Sequence, residues 1–511
     1  MTGEAKACFV GVDVGTSACK VIAVDEAGAV LARTVRDYPL STPRPGWAEQ
    51  NPADWWRATD EAMKALRAAL PRGYAVRAIG LCGQMHGLVP LDEGDRVIRP
   101  AILWCDNRNG PECDELTQQV GGLSRVLELI NNRILPGYTA GKIVWLRKHE
   151  PAAFERMRRF LNPKDYIRLV MTGAHATEVA DASGTALFDV RHRRWSSRLL
   201  EAVGLRADQV PAVHESPFAS GGLRAEVASS WGLPAGLPVV GGGGDAVTQI
   251  TSMGIVSEGP VGVIFGTAGV VGGAAGSCPD NKDGLLQVFC GNSPGLWNAM
   301  GVTLNGAGSF QWLFEVLSET PGAKLDFDAL VRLAESAPPG SDGLLFQPYL
   351  MGERCPWVAP DARAALVGLA RGHRLGHLVR AVMEGIVLNI RAVLELIVRC
   401  GVSCNEIRAS GGATASPFWM SLLADGLGRD VVTVTGASEG GAYGAALIAG
   451  VGVGAWSDLD RAMSVITETT RVKVDAGRAQ LYQRQLAPHG ALFSALEAVG
   501  SADHDEDGAT G

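Results

Sequence analysis

No CxxC pair occurs among the ten cysteines, and no set of them has the spacing of a zinc site. The first residues lack the basic, then apolar, then small order of a secretion signal. Scattered thiols with no export signal lead us to expect reduced cysteines and a cytoplasmic protein. No long basic run is present, and the net charge is −8. Nucleic acid and anionic membrane are therefore not expected as partners. An anionic small-molecule substrate stays compatible, because a local site can reverse the global sign. There is no GxxxxGK[ST] loop and no dinucleotide fingerprint, so neither familiar nucleotide fold is expected. One uncharged stretch, 260–278, is nearly long enough to span a membrane. It holds six glycines, with Gly-Thr-Ala-Gly in the middle. Two short strands around a tight turn fit it better, and no membrane partner is expected.

What is present is a globular composition of 511 residues, 47% hydrophobic and 20% charged. That suffices for two large α/β domains. The start reads as a meander of short strands. Val10 to Val14 meets Gly15-Thr16-Ser17, Lys20 to Val24 follows, and Asp25-Glu26-Ala27-Gly28 turns again toward Val30. Asn51-Pro52-Ala53-Asp54 opens a helical pattern that runs through Leu70. Strand-like runs return over 75–91, around Gly83-Gln84-Met85-His86-Gly87. Residues 261–271 repeat the strand, Gly-Thr-x-Gly, strand design of the start, a weak internal repeat that points to two domains built alike. A long helix is predicted over 375–400 and read as core, with further helices from Pro417 and from Glu439. The acidic tail, 499–511, is expected to be disordered.

Three features carry chemistry. Backbone N–H groups in a turn such as Gly15-Thr16-Ser17 cradle phosphate oxygens, and the two hydroxyls add donors. Gly266-Thr267 and Gly411-Gly412 offer similar loops. Asp13, two residues before Gly15, is placed to hold Mg²⁺ directly or through water. The bland alternative is that any hairpin carries a glycine turn. Next, His86 lies in a glycine-flanked turn after a strand, where an imidazole reaches sugar hydroxyls. The usual fate of a lone histidine is instead a satisfied core or surface position. Last, Val239 to Gln249 reads VVGGGGDAVTQ. Four glycines let the chain pass close beneath a ligand while Asp245 faces it. Asp245 also suits a helix cap.

Together these residues resemble the FGGY family of carbohydrate kinases over nearly the whole chain. Gly137-Tyr138-Thr139-Ala140-Gly141-Lys142-Ile143-Val144-Trp145-Leu146 is similar to its first signature. Residues 364–384 are similar to its second, with Gly368, His377, Ala381 and Glu384 in place. The resemblance implies a two-domain, actin-like (ribonuclease H-like) α/β fold. Each domain would be a mixed β-sheet with flanking helices, and the active site would lie in the interdomain cleft. The sugar-binding domain is expected at 1–255 and the nucleotide-binding domain at 256–498.

Within the family, Gln84-Met85-His86-Gly87, Leu103-Trp104-x-Asp106-x-Arg108, Pro163-Lys164-Asp165-Tyr166, Asp181 to Thr185 and Pro348 to Arg354 resemble the branch that acts on D-xylulose. The resemblance implies transfer of the γ-phosphoryl group of ATP to a ketopentose, D-xylulose giving D-xylulose 5-phosphate, with Mg²⁺ as cofactor. Asp245 would be the general base. Met85, His86, Gln84, Trp104, Asp106 and Asp245 would bind sugar. Gly15, Thr16, Ser17, Gly266, Thr267, Gly411 and Gly412 would bind the nucleotide phosphates. No unusually high pKa is needed at Asp245, because the sugar hydroxyl becomes acidic as its bond to phosphorus forms.

Three positions depart from the pattern: Ala246 stands where Asn is common, Ala415 where a basic residue is common, and Cys355 where Thr is common. A kinase for another pentulose or a polyol, a silent sugar-responsive binding protein, and an actin- or chaperone-like ATPase are the alternative readings. The sequence leaves a homodimer open.

Overall fold

The computed structural model describes residues 5–320 and 325–500. Two mixed sheets carry the chain. The first contains β1 (Lys6–Val14), β2 (Ala18–Asp25), β3 (Val30–Asp37), β4 (Tyr74–Gly83), β5 (Ala219–Gly222) and β6 (Pro238–Gly244), in the order β5-β6-β4-β1-β2-β3. The second contains β7 (Gly259–Phe265), β8 (Gly269–Ala275), β9 (Gln287–Cys290), β10 (Trp297–Thr303), β11 (Cys404–Ser410), β12 (Val431–Val434) and β13 (Glu468–Val472), in the order β9-β10-β8-β7-β11-β12-β13.

The two sheets share one plan. Each opens with an antiparallel meander, β1-β2-β3 in one and β7-β8-β10 in the other. Each then adds two parallel strands beside its first, β4 and β6 or β11 and β12. Each ends on an antiparallel edge strand, β5 or β13. The weak repeat in the sequence is thus a repeat of topology. The uncharged stretch 260–278 forms β7 and β8, paired antiparallel through the turn at 266–268. No helix among the described residues is long and apolar enough to cross a membrane.

The helices used below are α1 (Pro52–Ala69), α2 (Thr139–His149), α3 (Pro163–Thr172), α4 (Val179–Ser183), α5 (Asp245–Ser252), α6 (Ala307–Ser318), α7 (Phe327–Glu335), α8 (Leu375–Arg399), α9 (Pro417–Leu427), α10 (Gly441–Gly452) and α11 (Ala476–Gly500). Residues 501–511, within the tail expected to be disordered, lie outside the described residues. Asn51 caps α1 by accepting from the Ala53 N–H, as its pattern predicts. Helix α8 is core: Val379, Met383, Ile386, Ile390, Val393 and Ile397 are buried. On it the signature residue Glu384 is spent on structure. It accepts from Gly340 N, Ser341 Oγ, Arg380 Nε and Tyr482 Oη at 2.7–3.0 Å.

Two helices are exchanged between the sheets. Helix α5 follows β6 of the first sheet, yet its Val247 and Ile250 pack with Ala274 and Met300 of the second. Helix α10 comes from the second half of the chain, yet Ala442, Tyr443, Ala446 and Leu447 pack with Phe9, Ile22, Val24 and Ala78 of the first sheet. Its sequence, GAYGAALIAGVG, is apolar all round, as a fully enclosed helix requires. The approach is close because β1 and β4 offer glycines. A Cβ on Gly11 would overlap the Ala442 carbonyl, and one on Gly80 the Ala445 carbonyl. The two exchanged helices also touch directly, since a Cβ on Gly444 would overlap the Thr248 carbonyl. A separate clasp joins the lobes at the sheet edge. The Asn132 amide donates to Val288 O (2.7 Å) and accepts from Val288 N (2.8 Å), in the manner of a neighbouring strand.

Replacing Gly80 by alanine puts a methyl group against a helix backbone that has no free volume. The expected cost is about 1–3 kcal/mol, the range for overpacked interiors. A urea unfolding series on Gly80→Ala checks it, and an unchanged midpoint would mean that α10 moves aside without strain.

Candidate active site

The glycine run and Asp245 sit where β6 ends and α5 begins. Each glycine of the run answers to a protein neighbour. Gly242 is in the left-handed region (φ 70°), at a bulge where β6 shifts register against β4, and a Cβ there would overlap Leu81 O. Added Cβ atoms would lie 2.7 Å from Ser216 O at Gly241, 2.5 Å from Thr248 Oγ1 at Gly243, and 2.5 Å from the Met85 side chain at Gly244. The expected reason for the glycines, passage beneath a sugar, is therefore corrected. They let β6 bulge against its own sheet and make room for Met85. Arg168 of α3 completes the support by donating to Gly241 O (2.8 Å).

Asp245 is the first residue of α5, and its Oδ1 accepts from the Ala246 N–H at 2.8 Å. Burial, and then the neighbouring Asp13 carboxylate, push its pKa up to about 7. Among the described residues, no cation forms an ion pair with Asp245 or Asp13. Beneath α5 a buried polar chain fixes the helix. Asn292 donates to Thr251 Oγ1 (2.9 Å), while Ser216 Oγ bridges Asn292 Oδ1 (3.0 Å) and Glu178 Oε2 (3.2 Å). Lys164, wholly enclosed, pairs with Asp165 (2.6 Å), Asp181 (3.1 Å) and Glu178 (3.4 Å).

Asp13, next to last in β1, lies beside Cys82 of β4. Burial raises its pKa, and Cys82 and Lys20 work against the rise. Its Oδ1 is buried with no hydrogen-bond partner. The turn that follows is bound from behind. Gly15 O accepts from Tyr38 Oη (2.5 Å) and Gln84 Nε2 (3.2 Å), and Thr16 O from Gln50 Nε2 (2.7 Å). Gly15 N closes the turn on Ala18 O (3.0 Å), and the Trp104 indole donates to Thr16 Oγ1 (2.9 Å). The second turn repeats the device. Gly266 N closes on Ala268 O (3.1 Å), and the carbonyls of Gly266 and Thr267 accept from the first amides of α6 at 2.9–3.1 Å. In both turns the carbonyls point into the protein. Among the described residues, the amides of Thr16, Ser17, Thr267 and Ala268 are left without a partner in the turns.

His86 has φ 69°, a conformation unusual for a residue with a Cβ. Several contacts hold it there. Its carbonyl accepts from Lys142 Nζ (2.8 Å) and Thr139 Oγ1 (3.1 Å), and its ring stacks on Tyr138 at 4.4 Å. Nδ1 donates to Gly184 O (2.5 Å), since a carbonyl only accepts. Burial lowers the His86 pKa to about 3. The ring is therefore neutral at pH 7, with Nε2 as an acceptor. Lys142, buried on the same carbonyl, is pushed down to about 7.

The sequence-expected residues divide. Met85, His86 and Asp245 come together, since Met85 fills the space over both Gly244 and Gly184. Gly266, Thr267 and Gly412 line one cavity of about 870 Å³ with Phe310, Phe327 and Trp419. Gly411 lies behind it, at φ 104°, pressed against Phe265 O. Gly15, Thr16 and Ser17 lie outside it, at the tip of β1-β2. Two expected sugar contacts are turned inward. Gln84 is fully buried and supports the first turn. Asp106 is fully buried and accepts from Ala48 N and Arg108. Trp104 is 42% exposed and stays at the surface of the site. Tyr138 and Arg354 lie inside family-like motifs that do not by themselves assign them a role, and no motif marks the aromatic wall of the cavity.

Geometry of this kind, with paired backbone turns and a partly buried carboxylate between two like-folded lobes, defines a phosphotransferase. The chain matches the FGGY family of carbohydrate kinases, N-terminal domain, over residues 8–254 and C-terminal domain over 261–453, and it belongs to that family. It is 36% identical to the xylulose kinase of Escherichia coli (strain K12), covering 96% of this chain and 99% of that protein. It is 35% identical to the xylulose kinase of Bacillus subtilis (strain 168), covering 93% and 94%. Its fold superposes on a crystal structure of xylulose kinase from Rhodospirillum rubrum with a TM-score of 0.90 at 29% identity, covering 97% of this chain and 100% of that one.

Two effects are expected of Asp245→Asn. Loss of the base that the family resemblance implies at this position should lower kcat about 10²–10⁴-fold. Stability moves the other way, because a carboxyl with a raised pKa favours the folded state only while protonated. The variant should gain up to about 4 kcal/mol over wild type at pH 8. That gain should shrink as pH falls through about 7 and vanish below 4. Denaturant midpoints of both proteins at pH 4, 6 and 8 check the sign.

Proposed function

We propose that this carbohydrate kinase transfers the γ-phosphoryl group of ATP to D-xylulose, giving D-xylulose 5-phosphate. The observation that carries the reading is Asp245: partly buried, without an ion-pair partner among the described residues, and adjoining the Met85-His86 turn. The names of the relatives support the choice of sugar. In the step, the sugar hydroxyl oxygen bonds to the γ-phosphorus as the bond to ADP breaks, and Asp245 takes the proton. Its elevated pKa makes it a better proton acceptor than an ordinary carboxylate. The amides left over in the two turns are donors for phosphate oxygens, and in-line positioning needs little else from the protein. The cavity of about 870 Å³, walled by Phe310, Phe327 and Trp419, suits a nucleoside. His86 Nε2 accepts from a sugar hydroxyl.

Mg²⁺ fits one position. No group of three or more metal-ligating side chains occurs among the described residues. Mg²⁺ commonly needs only one or two carboxylates and the substrate phosphates, and Asp13 has an unpartnered buried oxygen to give it. When bound, the ion offsets charge on the phosphates. We further assign sugar binding to 1–255 and nucleotide binding to 256–498, and place the reaction in the cytoplasm, where ATP is available.

A coupled ADP-release assay on D-xylulose, D-ribulose, L-ribulose and xylitol tests the reading. The highest kcat/KM is expected on D-xylulose. Turnover of another sugar in its place would reassign the substrate, and Ala246 would then be the first residue to probe. In the same assay Asp13→Asn should raise the Mg²⁺ concentration for half-maximal rate at least about tenfold. An unchanged Mg²⁺ response would remove Asp13 from the metal site.

A further inference from the structure

A narrow cleft of about 70 Å³ lies between the lobes, lined by Tyr138, Asn132, Gln287, Arg354 and Cys355 among others. Two of these groups are unmatched. Tyr138 is 2% exposed, and its hydroxyl is buried with no partner. Arg354, from the second lobe, is exposed and forms no side-chain hydrogen bond or ion pair among the described residues. Leaving a buried hydroxyl unpaired is costly, so Tyr138 calls for an external partner.

The cleft continues the sugar site. Asp245 follows Gly244, Gly244 is covered by Met85, His86 is next in the chain, Tyr138 stacks on His86, and Arg354 shares the cleft with Tyr138. These contacts form a continuous chain from the base to the cleft. A five-carbon sugar whose terminal hydroxyl meets Asp245 extends along that line by four bonds of about 1.5 Å each. We infer that Tyr138 and Arg354 form the far end of the sugar site and that Arg354 reads the ketone of the substrate. This rests on the ketopentose reading above. A guanidinium has donors only, so it needs an acceptor. The carbonyl oxygen of a ketose is an acceptor that the matching polyol lacks. The phenol donates and accepts, so it serves a hydroxyl present in both. Arg354 is absent from the lining of the large nucleotide cavity, which argues against a phosphate partner.

Calorimetric Kd values for D-xylulose and xylitol, together with kcat/KM on D-xylulose and the KM of ATP, test this in wild type, Arg354→Gln, Arg354→Lys and Tyr138→Phe. For Arg354→Gln the Kd of D-xylulose should rise about ten- to a hundredfold, the span expected for a lost charge-assisted hydrogen bond. The Kd of xylitol should change less than about threefold by the same reasoning, and Arg354→Lys should restore part of the loss. Tyr138→Phe should weaken both ligands alike. The thermal midpoint should hold in the Arg354 variants, whose side chain is exposed. Equal weakening of both ligands in Arg354→Gln, a raised KM for ATP, or no change at all would overturn the inference. Wild type that binds and phosphorylates another sugar but not D-xylulose would instead overturn the ketopentose reading, and this inference with it.

Discussion

The backbone of α10 lies against β1 and β4 with no side chain between, and this contact organises the molecule. It requires glycine at 11 and 80 on the strands. With α5 exchanged in the opposite sense, each lobe supplies part of the other's core. The lobes are thereby joined through two crossing helices. Packing at interior density is intolerant of added volume, so the crossing sets how near the two turns and Asp245 can lie. Asp13 is drawn into the same contact, since a Cβ on Gly441 at the start of α10 would sit 3.1 Å from Asp13 Oδ2.

The chemistry follows from where that crossing leaves the carboxylates. Asp245 sits at the start of one exchanged helix, and Asp13 faces the start of the other. Both are partly buried, and among the described residues neither forms an ion pair, which is unfavourable for the fold and suited to a site that moves protons. The surroundings make the arrangement tolerable. Arg168 and the Lys164 cluster hold the chain behind Asp245, and Gln50, Gln84 and Tyr38 hold the first turn. His86 shows the same pattern on a smaller scale, with its unusual backbone conformation retained by Lys142, Thr139, Gly184 and Tyr138.

Much of this was legible in the chain. Alternation of β-branched runs with glycine turns marked β1-β2 and β7-β8, because strand and turn preferences are local. The two signatures and the Met85-His86 pair pointed to the family. The helix starts at Asn51 and Pro417 were readable from cap chemistry. The orientation of other side chains was not legible, for a common reason. Gln84 and Asp106 are polar residues in motif positions, and sequence does not say whether such a side chain faces a ligand or braces a loop. The four glycines at 241–244 announced a close approach, but what approaches them, Leu81, Ser216, Thr248 and Met85, comes from distant segments. The pKa of Asp245 depends on Asp13, more than two hundred positions away in the chain.

The sequence by itself determined most of the elements, the doubled strand plan and the family, and it singled out Asp245 as the candidate carboxylate. These rest on local preferences and on motifs whose residues lie close together in the chain. Only the tertiary structure decided which polar residues face the cleft, why the glycines are needed, and how far burial shifts Asp245 and His86. It also decided that an unpaired tyrosine of one lobe shares a cleft with an unpaired arginine of the other. Desolvation and charge–charge repulsion act through space between segments that no sequence window contains, so they appear only once the lobes are folded against each other.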